Sequence, residues 1–409
     1  MSQPFEIDRR SLLRAATLGS FALLPACSRQ KSGSSPISAS DLYSSPDLRS
    51  LAQYPQKAPL ILLTDRPPQL ETPLHYFNED LTPNEAHFVR WHLSDIPESV
   101  DSDKWRLQIQ GNVKHPLSLT LDNLQKNFEP VSLVALNQCS GNSRSLFEPR
   151  VPGGQWKNGA MSNARWTGVR LKDILDRAGL RPGTVEITFS GLDKPALAAT
   201  PHFEKSLPTD VANNPDLLVA YAMNEKPLPM LNGFPARLVV PGWYATYWVK
   251  ALSQVTAHKT HEPNFWMDKA YRIPNNKLAE ETPGHLDTDT VPIGKMAVHS
   301  IFVAPEPGVD ITAGKSVDVS GLATHGGEGI RRVELSVDGG QIWNDAKLDP
   351  DLGRYSWRRW RASWTPPKKA TYRLMVRATS GSGDTQSSAQ WNRSGYQRSV
   401  IEHMDVRAV

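Results

Sequence analysis

The sequence predicts an α+β protein: a mixed α/β domain over residues 59–290, then an immunoglobulin-like β-sandwich over residues 291–409. Three observations predict it. At 409 residues the chain is too long for one compact core and divides into two domains with appendages. Up to residue 290 it is dense in Trp, Pro and Gly, with short strand-like runs and few helical patterns. Beyond Val291, apolar residues at Val317/Val319, Val333/Leu335/Val337 and Tyr372/Leu374/Val376 alternate with polar neighbours, the period of half-buried strands.

In the first domain, helical signals fall at Leu119–Phe128 and at Leu171–Ala178, where Gly179 is placed to cap the C-terminus. Strand-like runs are Trp105–Gln110, Val131–Leu136, Val185–Phe189, Leu217–Ala222 and Arg237–Val240. In the second domain Asp338-Gly339-Gly340 supplies a hairpin turn. The tryptophans at 343, 357, 360 and 364 are candidates to fill a core that lacks the paired cysteines of antibody domains.

Residues 1–27 carry Arg9-Arg10 before a short, weakly apolar run that ends Leu24-Pro25-Ala26-Cys27. Paired arginines in that setting resemble a twin-arginine export signal to the periplasm. The run is far short of the ~20 residues that span a bilayer. Leu-x-Ala-Cys also resembles a lipoprotein cleavage box, which would make Cys27 a lipid anchor; an ordinary signal peptide cut nearby is the competing reading. Residues 28–58 read as a flexible linker opened by a serine-rich tract. The formal charge of +4, which falls to +3 without residues 1–26, and the absence of a basic stripe argue against a nucleic-acid partner.

Of the two cysteines, only Cys139 lies outside the export segment, so no intramolecular disulfide framework exists. A lone cysteine is ordinarily a small buried hydrophobe. In an oxidising compartment a free thiol is a liability unless it is buried or bonded to something. Common signatures are missing: no Gly-x-Gly-x-x-Gly after a strand, no Walker loop, no Gly-x-Ser-x-Gly elbow, and no Cys-x-x-Cys-His for haem. His258 and His261 read as two exposed imidazoles on a loop.

The informative stretch is Asn137-Gln138-Cys139-Ser140-Gly141-Asn142-Ser143-Arg144. It places a thiolate, a soft ligand suited to a redox metal, after an apolar strand and before a turn whose amides can approach an anion. It resembles the molybdenum-ligand motif of bacterial sulfite dehydrogenases of the sulfite oxidase family. The likeness continues through Gly154-Gln155-Trp156, Ala164–Val169, Phe88–His92, Leu217–Asn224 and Gly233–Gly242, and ends in Trp248-Val249-Lys250. Val333–Trp343, with its Asp-Gly-Gly-x-x-Trp, is similar to the family's dimerisation domain.

The resemblance implies a molybdopterin-binding catalytic domain, Cys139 as the protein ligand to molybdenum, and Arg90 and Arg144 as the residues holding a sulfite anion. Guanidinium suits that task because it stays charged at any working pH. Tyr271 matches the active-site tyrosine and Trp156 the wall of the substrate pocket. The cofactor-binding candidates are Phe88, Trp91, His92, Asp193, Asn232, Arg237, Trp248, Val249 and Lys250. Two positions depart from the animal enzymes: Asn232 stands where they have histidine, and Trp91 where they have asparagine. Taken singly, Arg90 and Arg144 are more often surface ion-pair residues, and Trp156 and Tyr271 core aromatics.

The implied activity is oxidation of sulfite to sulfate in the periplasm, by a homodimer without haem on this chain that passes electrons to a cytochrome c or similar carrier. Two alternatives in the family stay open, a sulfane-sulfur dehydrogenase subunit and a methionine sulfoxide reductase. The arginine pair favours a small anion over a protein methionine. A cofactor-free binding protein is the alternative from another class.

Overall fold

The computed structural model describes residues 47–409. The export segment, Cys27 and the first part of the linker lie outside the described residues.

Strand Pro130–Gln138 pairs antiparallel with Met161–Arg170, in a register that sets Gln138 against Met161. Only the C-terminal half of Pro130–Gln138 is buried, so the strand dives into the interior and delivers Cys139 there. Met161–Arg170 pairs in turn with Leu218–Met223, which carries Arg237–Val239 on its other side. A second sheet runs in the order Glu204–Pro208, Glu186–Gly191, Leu252–His258, Leu107–Gly111, Leu117–Leu119. Leu107–Gly111 and Leu252–His258 pair in parallel. Apolar residues of the two sheets, among them Leu107, Ile109, Trp166, Phe189, Val219 and Val255, form one core.

Helix Leu171–Ala178 forms where the apolar spacing predicts. It buries Leu171, Ile174, Leu175 and Ala178 on one stripe, and Gly179 ends it at φ 68°. Helix Leu121–Asn127 starts two residues later than its apolar pattern, because Thr120 and Asn123 form a reciprocal capping box. Among the described residues no α-helix exceeds the eight residues of Leu171–Ala178. The first domain is therefore mostly β with long ordered loops, less helical than a mixed α/β expectation. Sheets here bury their apolar faces on each other, leaving little need for covering helices.

The C-terminal part contains two four-stranded antiparallel sheets. One joins His299–Ala304, Val317–Thr324, Arg358–Trp364 and Lys347–Leu348; the other joins Asn344–Asp345, Ile330–Ser336, Ala370–Ser380 and Glu402–Ala408. Their inner residues, including Phe302, Val319, Val333, Trp360, Leu374 and Met404, share a core. Trp360 fills that core, whereas Trp343 and Trp364 are half-buried. Trp357 belongs to the first domain's core, edge-on to Phe77 at 5.2 Å with its indole N–H donating to the Asp80 carbonyl (3.0 Å). The described residues fall within one compact unit. Across the domain border Leu136 N–H donates to the Tyr355 carbonyl (2.9 Å), and Tyr355 and Arg354 both bind Asp216.

Candidate active site

Cys139 leaves its strand still on the ladder, its N–H donating to the Ala160 carbonyl (2.9 Å). The chain then turns sharply: Asn142 N–H reaches the Cys139 carbonyl (3.0 Å), and Ser143 takes φ 66°. Loop 154–160 locks the turn. Ser143 N–H donates to the Lys157 carbonyl (2.7 Å), Ser145 N–H to that of Trp156 (3.0 Å), and Ala160 N–H to Asn142 Oδ1 (2.9 Å). These bonds fix the thiol and Arg144 in one rigid unit.

Arg144 lies in a slot made by three glycines, two of them near it in the chain and the third, Gly395, from the far C-terminal part. A Cβ at Gly141 would stand 2.6 Å from its Cζ, one at Gly153 2.7 Å from Nη1, and one at Gly395 2.7 Å from Cγ. Its Nε donates to the Ser394 carbonyl (3.1 Å) and its Nη1 to that of Gly154 (3.2 Å). Arg90, on the short strand Val89–Arg90, donates Nη1 to the Trp91 carbonyl (2.7 Å). Neither arginine has a carboxylate within ion-pair distance among the described residues, unlike the surface arginines that pair with Asp and Glu.

Both arginines face a cavity of ≈ 480 Å³ that also exposes Cys139, Trp156, Tyr271 and Tyr396. Lys269, Arg272 and Arg393 add cationic side chains, and no Asp or Glu lines the walls. Such a chamber concentrates anions. Tyr271 sits at φ 55° and shares a 2.5 Å hydrogen bond with His92 Nε2. His92 stacks on Phe203 at 3.6 Å. Burial, then the charges of Arg90, Lys250 and Lys205, push its pKa well below the usual imidazole range, so the ring is neutral. Burial raises the Tyr271 phenol, against the pull of Arg90 and Arg144, so it stays protonated.

On its other side Cys139 borders a narrow cleft of ≈ 20 Å³, lined also by Phe88, His92, Asn137, Ser140, Asn232, Arg237, Thr246 and Lys250. Four buried polar atoms here lack any partner: Asn137 Nδ2, Ser140 Oγ, Arg237 Nε and Thr246 Oγ1. Folded proteins leave such atoms unpaired only rarely, and a cluster of them marks a ligand site. Arg237 is fixed by the carbonyls of Asn232 (3.0 Å) and Trp248 (3.1 Å), and burial lowers its pKa to about 9. Lys250 is lowered by burial and by Arg237, against the attraction of Asp193. A cleft with two strained cations, three further unpaired donors and a thiol fits a phosphate-bearing, metal-chelating cofactor.

Of the residues singled out in the sequence, Arg90, Arg144, Trp156 and Tyr271 meet at the cavity, and Phe88, His92, Asn232, Arg237 and Lys250 at the cleft. Four stand behind that lining. Trp91 donates Nε1 to the Leu231 carbonyl (3.0 Å) and lies under the Lys250 ammonium at 4.9 Å. Trp248 donates Nε1 to the Trp243 carbonyl, and the Val249 amide and carbonyl are engaged by Tyr247 and Leu238. Asp193 is buried beside Lys250, its carboxyl raised by that burial. Asn232 is fully occupied, accepting from Lys57 Nζ (2.9 Å) and donating toward the Phe88 carbonyl (3.1 Å) and His87 Nδ1 (3.2 Å). Sequence reasoning missed Tyr396, Ser394, Thr246 and the glycine slot; Asn137 and Ser140 were in view beside Cys139 but were not given a role. His261 is exposed as expected and bridges Glu186 (2.9 Å) and Asp268 (3.0 Å), whereas His258 is half-buried at the end of strand Leu252–His258 and not on a loop. Among the described residues no three His, Cys, Asp or Glu gather as a metal site.

Comparison with known proteins agrees with this chemistry. Residues 93–266 match the oxidoreductase molybdopterin binding domain and residues 290–403 the Mo-co oxidoreductase dimerisation domain. Mitochondrial sulfite oxidase of Rattus norvegicus is 32% identical over 394 residues, covering 92% of this chain and 69% of that protein. The Homo sapiens enzyme is 35% identical over 312 residues, covering 73% of this chain and 56% of its own length. The sulfane dehydrogenase SoxCD from Paracoccus pantotrophus shares the fold, with a TM-score of 0.71 over 95% of this chain and 96% of that one at 22% identity. The chain therefore belongs to the sulfite oxidase family and is an oxidoreductase of the molybdenum cofactor.

Proposed function

We propose that this protein oxidises sulfite to sulfate and passes the electrons singly to a separate carrier such as a cytochrome c. The observation that carries this reading is the convergence of Arg90 and Arg144 on Cys139 in a cavity whose walls hold no carboxylate. When bound through Cys139, the molybdenum cofactor supplies a two-electron centre for oxygen-atom transfer. Arg237, Lys250, Thr246, Asn137 and Ser140 would hold its phosphate and ring polar groups, while Phe88, His92 and Asn232 shape the cleft. Trp91, Trp248, Val249 and Asp193 keep those residues in place from behind.

Arg90 and Arg144 bind the substrate dianion, and their carbonyl partners hold the guanidinium planes fixed before it arrives. Trp156, 1% exposed, closes one wall against bulkier substrates. Tyr271 and neutral His92 hold a proton in their shared bond, at the junction of cavity and cleft. Twin-arginine export to the periplasm, a lipid anchor at Cys27, and a homodimer formed through residues 291–409 belong to the same reading.

The test is a reduction assay with the molybdenum-loaded protein, comparing cytochrome c, ferricyanide and oxygen as acceptors. Sulfite should drive cytochrome c reduction. Reduction by a sulfane-sulfur donor and not by sulfite would overturn the substrate and move the protein to sulfane dehydrogenation. Unchanged KM for sulfite in both Arg90→Gln and Arg144→Gln would remove the arginines from substrate binding.

A further inference from the structure

The cavity has a wall that comes from the C-terminal half of the chain. Residues 392–397 turn over its mouth, and Asn392, fully buried, ties the turn together: its Nδ2 donates to the carbonyls of Ala279 (2.9 Å) and Tyr396 (3.0 Å), and its Oδ1 accepts from the Tyr396 N–H (3.1 Å). Gln397 N–H then donates to the Ser140 carbonyl (3.1 Å), one residue beyond the thiol. Tyr396 is thus held as firmly as the residues around Cys139.

Its ring lies parallel to that of Tyr271, with centroids 5.3 Å apart and planes 2° apart, and Arg144 Cζ stands 4.9 Å from its centroid. The two phenols differ in what remains free. Tyr271 shares its hydroxyl with His92. The Tyr396 hydroxyl makes no hydrogen bond to a described residue; its charged neighbour is the Arg144 guanidinium, and a guanidinium only donates. The Tyr396 proton therefore has no acceptor among the described residues, while the ring lines the cavity. Burial raises this phenol against the pull of Arg144 and Arg90, which keeps the proton in place.

We propose that Tyr396 is a substrate-binding residue, whose phenol O–H donates to the bound sulfur oxyanion as the neutral complement of Arg90 and Arg144. A neutral donor adds direction to anion binding without adding charge. The choice of sulfite rests on the function proposed above; the anion donor does not.

The experiment compares wild type, Tyr396→Phe and Tyr396→Leu, all molybdenum-loaded. It reads sulfate affinity through tryptophan fluorescence, sulfite KM and kcat, molybdenum content and Tm. Phe keeps the stack and the face offered to Arg144, and removes only the hydroxyl. Tyr396→Phe should weaken sulfate binding about tenfold and raise KM by a similar factor, with less change in kcat and with molybdenum content and Tm retained. Equal sulfate affinity in wild type and Tyr396→Phe, with loss only in Tyr396→Leu, would assign the ring to propping Arg144 and overturn the proposal. A wild type that binds sulfate without oxidising sulfite would sink the sulfite reading alone, and the sulfate comparison would still decide the role of Tyr396.

Discussion

The two chambers that meet at Cys139 are built on opposite principles. The cavity is wide, ≈ 480 Å³, and its arginines are held by the protein: Arg90 and Arg144 by carbonyls, Arg272 by Thr290 and the Met267 carbonyl, and Arg393 by Glu281. The cleft is narrow, ≈ 20 Å³, and leaves Asn137, Ser140, Arg237 and Thr246 with unmatched polar atoms. A wide chamber with pre-set arginines can exchange a small anion at each turnover. A narrow cleft with orphaned donors is incomplete until a polar ligand stays in it. One thiol borders both, which is the arrangement required of a cofactor's anchor placed at the substrate's edge.

The comparison can be broken at its junction. Cys139→Ser should abolish turnover and lower molybdenum content, because a hydroxyl does not replace a soft thiolate; full activity in this variant, measured with sulfite, would refute the ligand assignment. A smaller effect is expected in the slot. Gly141→Ala puts a methyl 2.6 Å from Arg144 Cζ, and displacing that guanidinium should raise the sulfite KM about 10- to 100-fold with molybdenum retained. Unaltered KM would show that the slot does not aim Arg144.

The smallest effect concerns the back of the cleft, where burial lowers Lys57, donor to Asn232, to about 7 from its usual 10.5. Between those values the unfolded chain keeps a proton that the folded protein has lost, so stability rises with pH across that window and the lysine is most costly at and below pH 7. Lys57→Met has no such term. Relative to it, the wild type should gain about 1–3 kcal/mol between pH 7 and 9.5 in chemical denaturation; a flat difference would mean that Lys57 stays charged.

What the sequence made legible was local. The turn after Cys139, the helix Leu171–Ala178 with its Gly179 cap, and the strand runs are all set by neighbours within a few residues, and they stand where the pattern puts them. Arg144 could be read because it belongs to that turn. Its slot could not, since Gly395 comes from the far end of the chain. Tyr396 gave no signal, because a tyrosine in a Gly/Ser turn has no period or spacing that marks a cavity wall. The motif marks Trp91 and Trp248, but not that their indoles donate to the Leu231 and Trp243 carbonyls, with Trp91 under the Lys250 ammonium and the Trp248 carbonyl accepting from Arg237. Both expected helices form, at Leu121–Asn127 and Leu171–Ala178; what the sequence did not show is how far sheets and ordered loops make up the rest of the first domain.

The central claim, a cofactor chamber and an anion chamber divided by Cys139, is tested most directly by measuring molybdenum content and sulfite KM in Arg237→Met and Arg144→Gln side by side. Arg237→Met should lose molybdenum, with the molecules that still hold it keeping the wild-type KM. Arg144→Gln should keep its molybdenum and raise KM about 100-fold. The reverse pattern, molybdenum lost with Arg144 and KM raised with Arg237, would contradict the division.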